Sequence, residues 1–129
     1  MAFLRDVVTD CEHPASLARF WAQALDGYEV APYDEAERER LRSLGIDDLE
    51  DDPTVLVQPV GEAPGVRFWF QQVPEPKITK NRVHVDLRVD DLAAEHDRLA
   101  ALGATVVADH GRLLVLADPE GNEFCLVTG

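Results

Sequence analysis

Arg82-Val83-His84-Val85-Asp86-Leu87-Arg88-Val89 alternates polar and apolar residues without a break, and Leu92 to Leu102 follows as a helical stretch that Gly103 stops. A period of two giving way to a helical period marks a strand that leads into a helix. Beyond it, Thr105 to Ala108 and Leu113 to Ala117 suit strands, and Asp118-Pro119-Glu120-Gly121 suits a turn into a last strand, Asn122 to Val127. The order is strand, helix, three strands.

Toward the N-terminus the same order recurs. Phe3 to Asp10 suits a strand, and Pro14 suits the first turn of a helix with Leu17, Phe20, Trp21, Ala24 and Leu25 on one apolar face. Gly27 stops that helix and Tyr28-Glu29-Val30 is extended. Thr54 to Val60 and Val66 to Val73 are strands joined by the turn Gly61-Glu62-Ala63-Pro64-Gly65. A shift of 78 lays Asp6 on His84 and Phe20-Trp21 on Arg98-Leu99, with one gap near Asp26. The repeat is one of pattern, not of identity. It predicts an α+β chain of two βαβββ modules, module one at about 1–74 with an acidic insertion at 34–52, module two at about 81–129. Sheets with one bare face are expected to pair as a curved, partly closed mixed sheet around a cleft, with helices on the convex side.

Composition narrows the function. The 129 residues suffice for one domain, and 46% hydrophobic with 29% charged is a globular balance and not a disordered one. The longest apolar runs are strand-length, and Met1 to Asp6 lacks a basic segment followed by an apolar core. A cytoplasmic protein with no membrane partner is the expectation, and two cysteines, Cys11 and Cys125, agree with a reducing compartment. A net charge of −13 argues against a nucleic-acid partner, whose phosphates need clustered Lys and Arg. It would draw in a cationic small molecule. Nine acids and three arginines fall within 34–52, which reads as a solvated helix and loop, or as a lip that steers a ligand. Leu41 and Leu44 are its apolar anchors and Gly45 its stop.

Alternation sorts the strands into faces. Val83, Val85, Leu87 and Val89 are assigned to the helix side, leaving Arg82, His84, Asp86 and Arg88 as a polar row. Phe124 and Leu126 turn inward, leaving Glu123, Cys125 and Val127. Phe68 and Phe70 are core, leaving Arg67, Trp69, Gln71 and Val73, while Asp6, Val8 and Asp10 share a face in the first strand. His84 is the leading site residue. Asp86 and Arg88 would orient it or bind a polar ligand group, unless they pair with each other. Trp69 offers a stacking surface. Cys125 is a small buried hydrophobe or a reactive thiol. Lys77 and Lys80, the only lysines, form with Arg82 either a basic linker or a seat for a ligand's carboxylate or phosphate. No phosphate-cradling glycine loop, nucleophile elbow or paired-cysteine motif is present.

Three stretches carry a family likeness: Leu17-Ala18-Arg19-Phe20-Trp21, then Val73-Pro74-Glu75-Pro76-Lys77 with Lys80-Asn81-Arg82-Val83-His84-Val85-Asp86, and Asp118-Pro119-Glu120-Gly121-Asn122-Glu123-Phe124. With them the chain resembles a glyoxalase-like member of the vicinal oxygen chelate superfamily, which also holds bleomycin-resistance proteins and extradiol dioxygenases. The resemblance spans essentially the whole chain and implies a homodimer. In metal-dependent members each half gives ligands from its first and last strands. Carried onto this chain, those positions are Asp6, Gln71, His84 and Cys125. Asp6 and His84 are the expected metal ligands if any ion binds, with no cofactor as the favoured expectation. Gln71 is a weak neutral ligand, and Cys125 replaces the carboxylate that would accept a proton, so glyoxalase I activity is disfavoured. Two functions follow from the resemblance. One is a lyase or isomerase acting on a small molecule in the cleft, with His84 and Asp86 catalytic and Trp69, Gln71, Arg88 and Cys125 binding ligand. The other is a non-catalytic drug- or antibiotic-binding protein of the bleomycin-resistance type.

Overall fold

The computed structural model describes residues 1–129 as two units, Met1–Pro76 and Lys77–Gly129, each built on one four-stranded sheet. The first unit runs β1 (Asp6–Cys11), α1 (Pro14–Ala24), β2 (Tyr28–Val30), α2 (Glu35–Ser43), a 3₁₀ turn (Leu49–Asp51), β3 (Thr54–Pro59) and β4 (Arg67–Gln72). The second runs β5 (Asp86–Arg88), α3 (Leu92–Leu102), β6 (Thr105–Asp109), β7 (Leu113–Ala117) and β8 (Glu123–Val127). The sheet orders are β1-β4-β3-β2 and β5-β8-β7-β6. In both, the first strand lies parallel to the last and every other pair is antiparallel. With α2 and the 3₁₀ turn set aside, each unit is βαβββ, and the class is α+β as expected.

Local chemistry explains the helices. Pro14 opens α1 at a position where a missing N–H costs nothing, and Leu17, Ala18, Phe20, Trp21 and Ala24 bury one face. Phe20 and Trp21 meet edge to face, their ring centroids 5.5 Å apart. The Asp91 carboxylate caps α3 by accepting from Ala94 N–H at 3.0 Å, and Gly103 ends it at φ +116°. A Cβ at Gly103 would also press on Pro119 at 3.3 Å, so the site demands glycine twice over. The acidic segment organises itself. Asp34 caps α2 by accepting from Glu37 N–H, acids fill the first turn, and Arg40 and Arg42 pair with Glu37, Glu35 and Glu39.

Four expectations are corrected. The first strand begins at Asp6 and not Phe3, and Phe3 and Leu4 are exposed. The alternating run Arg82 to Val89 contributes only Asp86–Arg88 to a ladder. Before Asp86 the chain departs from the sheet: Asn81 N–H turns to the Glu123 carboxylate, and only the Val85 carbonyl reaches β8, accepting from Cys125 N–H. Val83 is consequently 78% exposed and does not face the helix. Leu44, at the C-terminal cap of α2, is 59% exposed, so Leu41 alone anchors that helix. Asp52, read as part of a solvated run, is 2% exposed.

Candidate functional site

In the second unit the parallel β5–β8 pair sets Asp86 opposite Cys125 and Arg88 opposite Val127. His84, two residues before Asp86, comes to the same side, its Nε2 3.5 Å from Asp86 Oδ1. The potential ligand atoms of His84, Asp86 and Cys125 all lie within 4.8 Å of one another. His84 and Asp86 are about half exposed, whereas Cys125 is buried. Burial pushes the Cys125 thiol up, and the Asp86 charge and its hydrogen bond push the same way. Both effects disfavour the thiolate, the form that would act as a nucleophile. Asp86 serves His84 and Cys125 and makes no ion pair with Arg88. Such an arrangement can move a proton at the imidazole, with a carboxylate 3.5 Å away to orient the ring.

Two acids position this trio. Asp118, only 3% exposed, accepts from the N–H groups of Glu120 and Asn122 at 2.9 and 3.0 Å and from Asn122 Nδ2 at 3.0 Å. That closed turn starts β8 and fixes where Cys125 falls. Glu123 accepts from Asn81 N–H at 3.0 Å and from Lys77 Nζ at 3.3 Å, pinning the segment that leads to His84. Burial works against the Glu123 charge, but these donors outweigh it and hold its pKa below the usual range. Lys77 is thus engaged within its own unit. The sequence set Glu123 on the face of Cys125 and within the Asp118–Phe124 stretch but disclosed no role for it.

The first unit offers no matching centre. Asp6 is clamped by Arg67, Nε to Oδ1 at 2.7 Å and a second nitrogen to Oδ2 at 3.1 Å, with Arg5 also donating. The Arg67 bond chiefly holds the Asp6 carboxyl below its ordinary range. Register sharpens the comparison. With Asp6 matched to His84, the ladder pairs Val8–Trp69 and Asp86–Cys125 correspond. Trp69 therefore stands where Cys125 stands, and Val8 where Asp86 stands. Gln71 corresponds to Val127 and is exposed. The four-donor metal set implied by the family likeness does not fit these residues. Only His84, Asp86 and Cys125, a nitrogen, oxygen and sulfur set, suit a borderline ion of the zinc class.

Arg67→Met should raise the Asp6 titration midpoint into the ordinary carboxylate range, read by NMR of the carboxyl carbon. A depressed folded pKa contributes stability above the unfolded value, near ~4, that is lost as pH falls through the folded one. The variant should therefore lose its extra stability at neutral pH and differ least from wild type in acid. An unchanged Asp6 midpoint would refute the clamp.

Trp69 is part-buried and lines a cavity of about 150 Å³ that the sequence did not reveal. Its other wall comes from the acidic segment and the residues flanking it, where Tyr33 Oη donates to Asp52 Oδ2 at 2.6 Å and Thr54 N–H donates to Oδ1 at 3.0 Å. No sequence pattern signals these contacts, because Tyr33 and Asp52 meet only after α2 has folded between them.

A family model described as a glyoxalase-like domain matches residues 6–127. No curated protein matches. Among solved structures, the fosfomycin resistance protein FosX from Mesorhizobium loti is 13% identical with a TM-score of 0.67, covering 100% of this chain and 93% of that one. A glyoxalase/bleomycin resistance protein/dioxygenase family enzyme from Burkholderia phytofirmans is 14% identical with a TM-score of 0.66, covering 98% of each chain. The oxidase ChaP-H2 is 19% identical with a TM-score of 0.62, covering 100% of this chain and 94% of that one.

Proposed function

Because the chain belongs to the glyoxalase-like domain family, we propose that it acts on a small molecule through His84, Asp86 and Cys125. The observation that carries this reading is the convergence of their donor atoms within 4.8 Å beside β5 and β8. His84 takes or gives the proton at a ring nitrogen, and Asp86, 3.5 Å from the ring, orients it. Cys125, kept as a thiol, closes the buried side of the centre. Were a zinc-class ion held by His84, Asp86 and Cys125, it would displace the thiol proton against the burial that favours it and supply Lewis-acid polarisation of a ligand oxygen. Arg88, exposed on the same strand, is suited to a carboxylate or other anionic group of the ligand. Structural likeness to fosfomycin resistance proteins and an oxidase is compatible with several reaction types, since one fold hosts many.

A thermal-shift screen of small metabolites and antibiotics tests the reading, followed by mass spectrometry of each stabilising compound after incubation. Compounds altered by the wild type and unaltered by folded His84→Ala would support conversion at this centre. Metal content of untagged protein, compared between wild type and His84→Ala, tells whether an ion takes part. A second reading, binding without chemistry, is favoured by Trp69 and its cavity. It predicts compounds recovered unchanged, whose affinity falls more in Trp69→Ala than in His84→Ala.

A further inference from the structure

The cavity beside Trp69 lies wholly within the first unit. Its floor is Trp69 and Leu56, from adjacent strands whose register places them opposite each other. Its wall is Tyr33, Glu37, Arg40 and Asp52. What matters for a ligand is which hydrogen-bonding capacity that wall leaves open. Tyr33 Oη donates its one O–H to Asp52 Oδ2 at 2.6 Å, so its oxygen has only lone pairs left to offer. Burial foremost, and the Asp52 contact, push the Tyr33 pKa up, so the phenol stays neutral. Arg40, the one donor-rich group, has its Nε on Glu37 at 2.8 Å and a terminal nitrogen 3.8 Å from Asp52. Two carboxylates thus face one guanidinium, and the wall keeps one negative charge in excess.

An aromatic floor, oxygen acceptors and a residual negative charge describe one class of guest. We propose that this cavity binds a small organic cation, an amidinium or ammonium group carried on a flat or compact apolar body. The body lies against Trp69 and Leu56, and the N–H groups of the cation reach Tyr33 Oη and Glu37. The acidic segment therefore has a structural task beyond solvation: α2 supplies Glu37 and Arg40, and the chain leaving the 3₁₀ turn supplies Asp52. The volume holds a single-ring molecule, and the protein's net charge of −13 raises the local concentration of cations. This inference rests on Trp69 facing a ligand and not on the chemistry of the His84 centre.

Benzamidinium, benzamide and benzoate share a shape and differ in charge, which makes them direct probes. The readout is the indole N–H signal of Trp69, told apart from that of Trp21 by a Trp69→Phe spectrum, and calorimetry gives the affinity. Benzamidinium should shift the Trp69 signal and bind about tenfold or more tighter than either isostere. Glu37→Gln, which keeps shape and removes charge at a half-exposed helix position, should weaken benzamidinium about three- to tenfold and leave benzamide unchanged. Trp69→Leu should abolish measurable binding. Benzoate or benzamide binding as well as benzamidinium would overturn the assignment, as would no Trp69 shift at about 10 mM probe with the protein folded. The same titration in His84→Ala separates the two sites. Binding retained there supports a cation pocket whatever becomes of the His84 chemistry, and binding lost there moves the cation elsewhere and overturns its placement.

Discussion

Phe124→Ala should lower the free energy of unfolding by about 3–5 kcal/mol, more than any surface substitution in either unit. Phe124 is wholly buried in β8, which lies between β5 and β7, and it stands opposite the equally buried Leu116. Leu126 and Leu114 repeat the arrangement two residues on. Removing the ring forfeits its transfer free energy and leaves a void that a ladder bonded on both sides cannot close. Phe70, buried on β4 between β1 and β3, should respond alike. Val106→Ala on the exposed edge strand β6 is the control and should change stability by no more than about 0.5 kcal/mol. Urea denaturation of the three variants, with slopes compared, provides the check. A loss below about 1 kcal/mol at Phe124 with an unchanged slope would mean that the inner face of β8 is not packed as described.

These residues also show which parts of the fold the sequence discloses. Phe124, Leu126 and Phe70 were assigned inward by alternation, and the structure buries all three. Helix α3 keeps the bounds read for it; the glycine that stops it was the local signal used, and the Asp91 cap that opens it is a second one that went unread. Where local signals and pairing part company, the reading fails. Arg82 to Val89 alternates as a strand should, yet the parallel register leaves Arg82 and Val83 before the start of β8 and sets His84 and Val85 against its first two residues, where only the Val85 carbonyl is bonded. The backbone upstream is claimed instead by the Glu123 carboxylate. Similarly, alternation puts Trp69 and Gln71 on one face but cannot say which of them matches Cys125. That distinction lies in the register between strands 61 residues apart, which only the folded sheet displays. The burial of Asp52 is a third case. A carboxylate in an acidic run reads as solvated until Tyr33, Thr54 and Arg40 converge on it from separate elements. His84, Asp86 and Cys125 were legible one by one as site candidates, while their common centre depends on β5 lying beside β8.

That dependence makes Asp118 the residue through which stability and site should fail together. Asp118→Ala should cost about 2–4 kcal/mol, because a buried carboxylate is removed while two backbone N–H groups and the Asn122 amide lose their acceptor. Asp118→Asn should cost less, since Oδ1 remains to accept from Glu120 and Asn122 N–H while the second oxygen becomes an amide opposing Asn122 Nδ2. Asn122→Ala, which spares both backbone bonds, should cost least. The order matters more than any single value, because it separates a turn that merely tolerates Asp118 from one closed by it. The site provides a second reading of the same variants. Cys125 is shielded only while β8 holds its place in the ladder, so alkylation of Cys125 by a thiol reagent should quicken in the order Asn122→Ala, Asp118→Asn, Asp118→Ala. Cys11, buried in the first unit, is the internal reference in the same digest and should change little. If Asp118→Ala exposed both cysteines equally, its effect would be global unfolding, and the turn would hold no special place in setting Cys125 against Asp86.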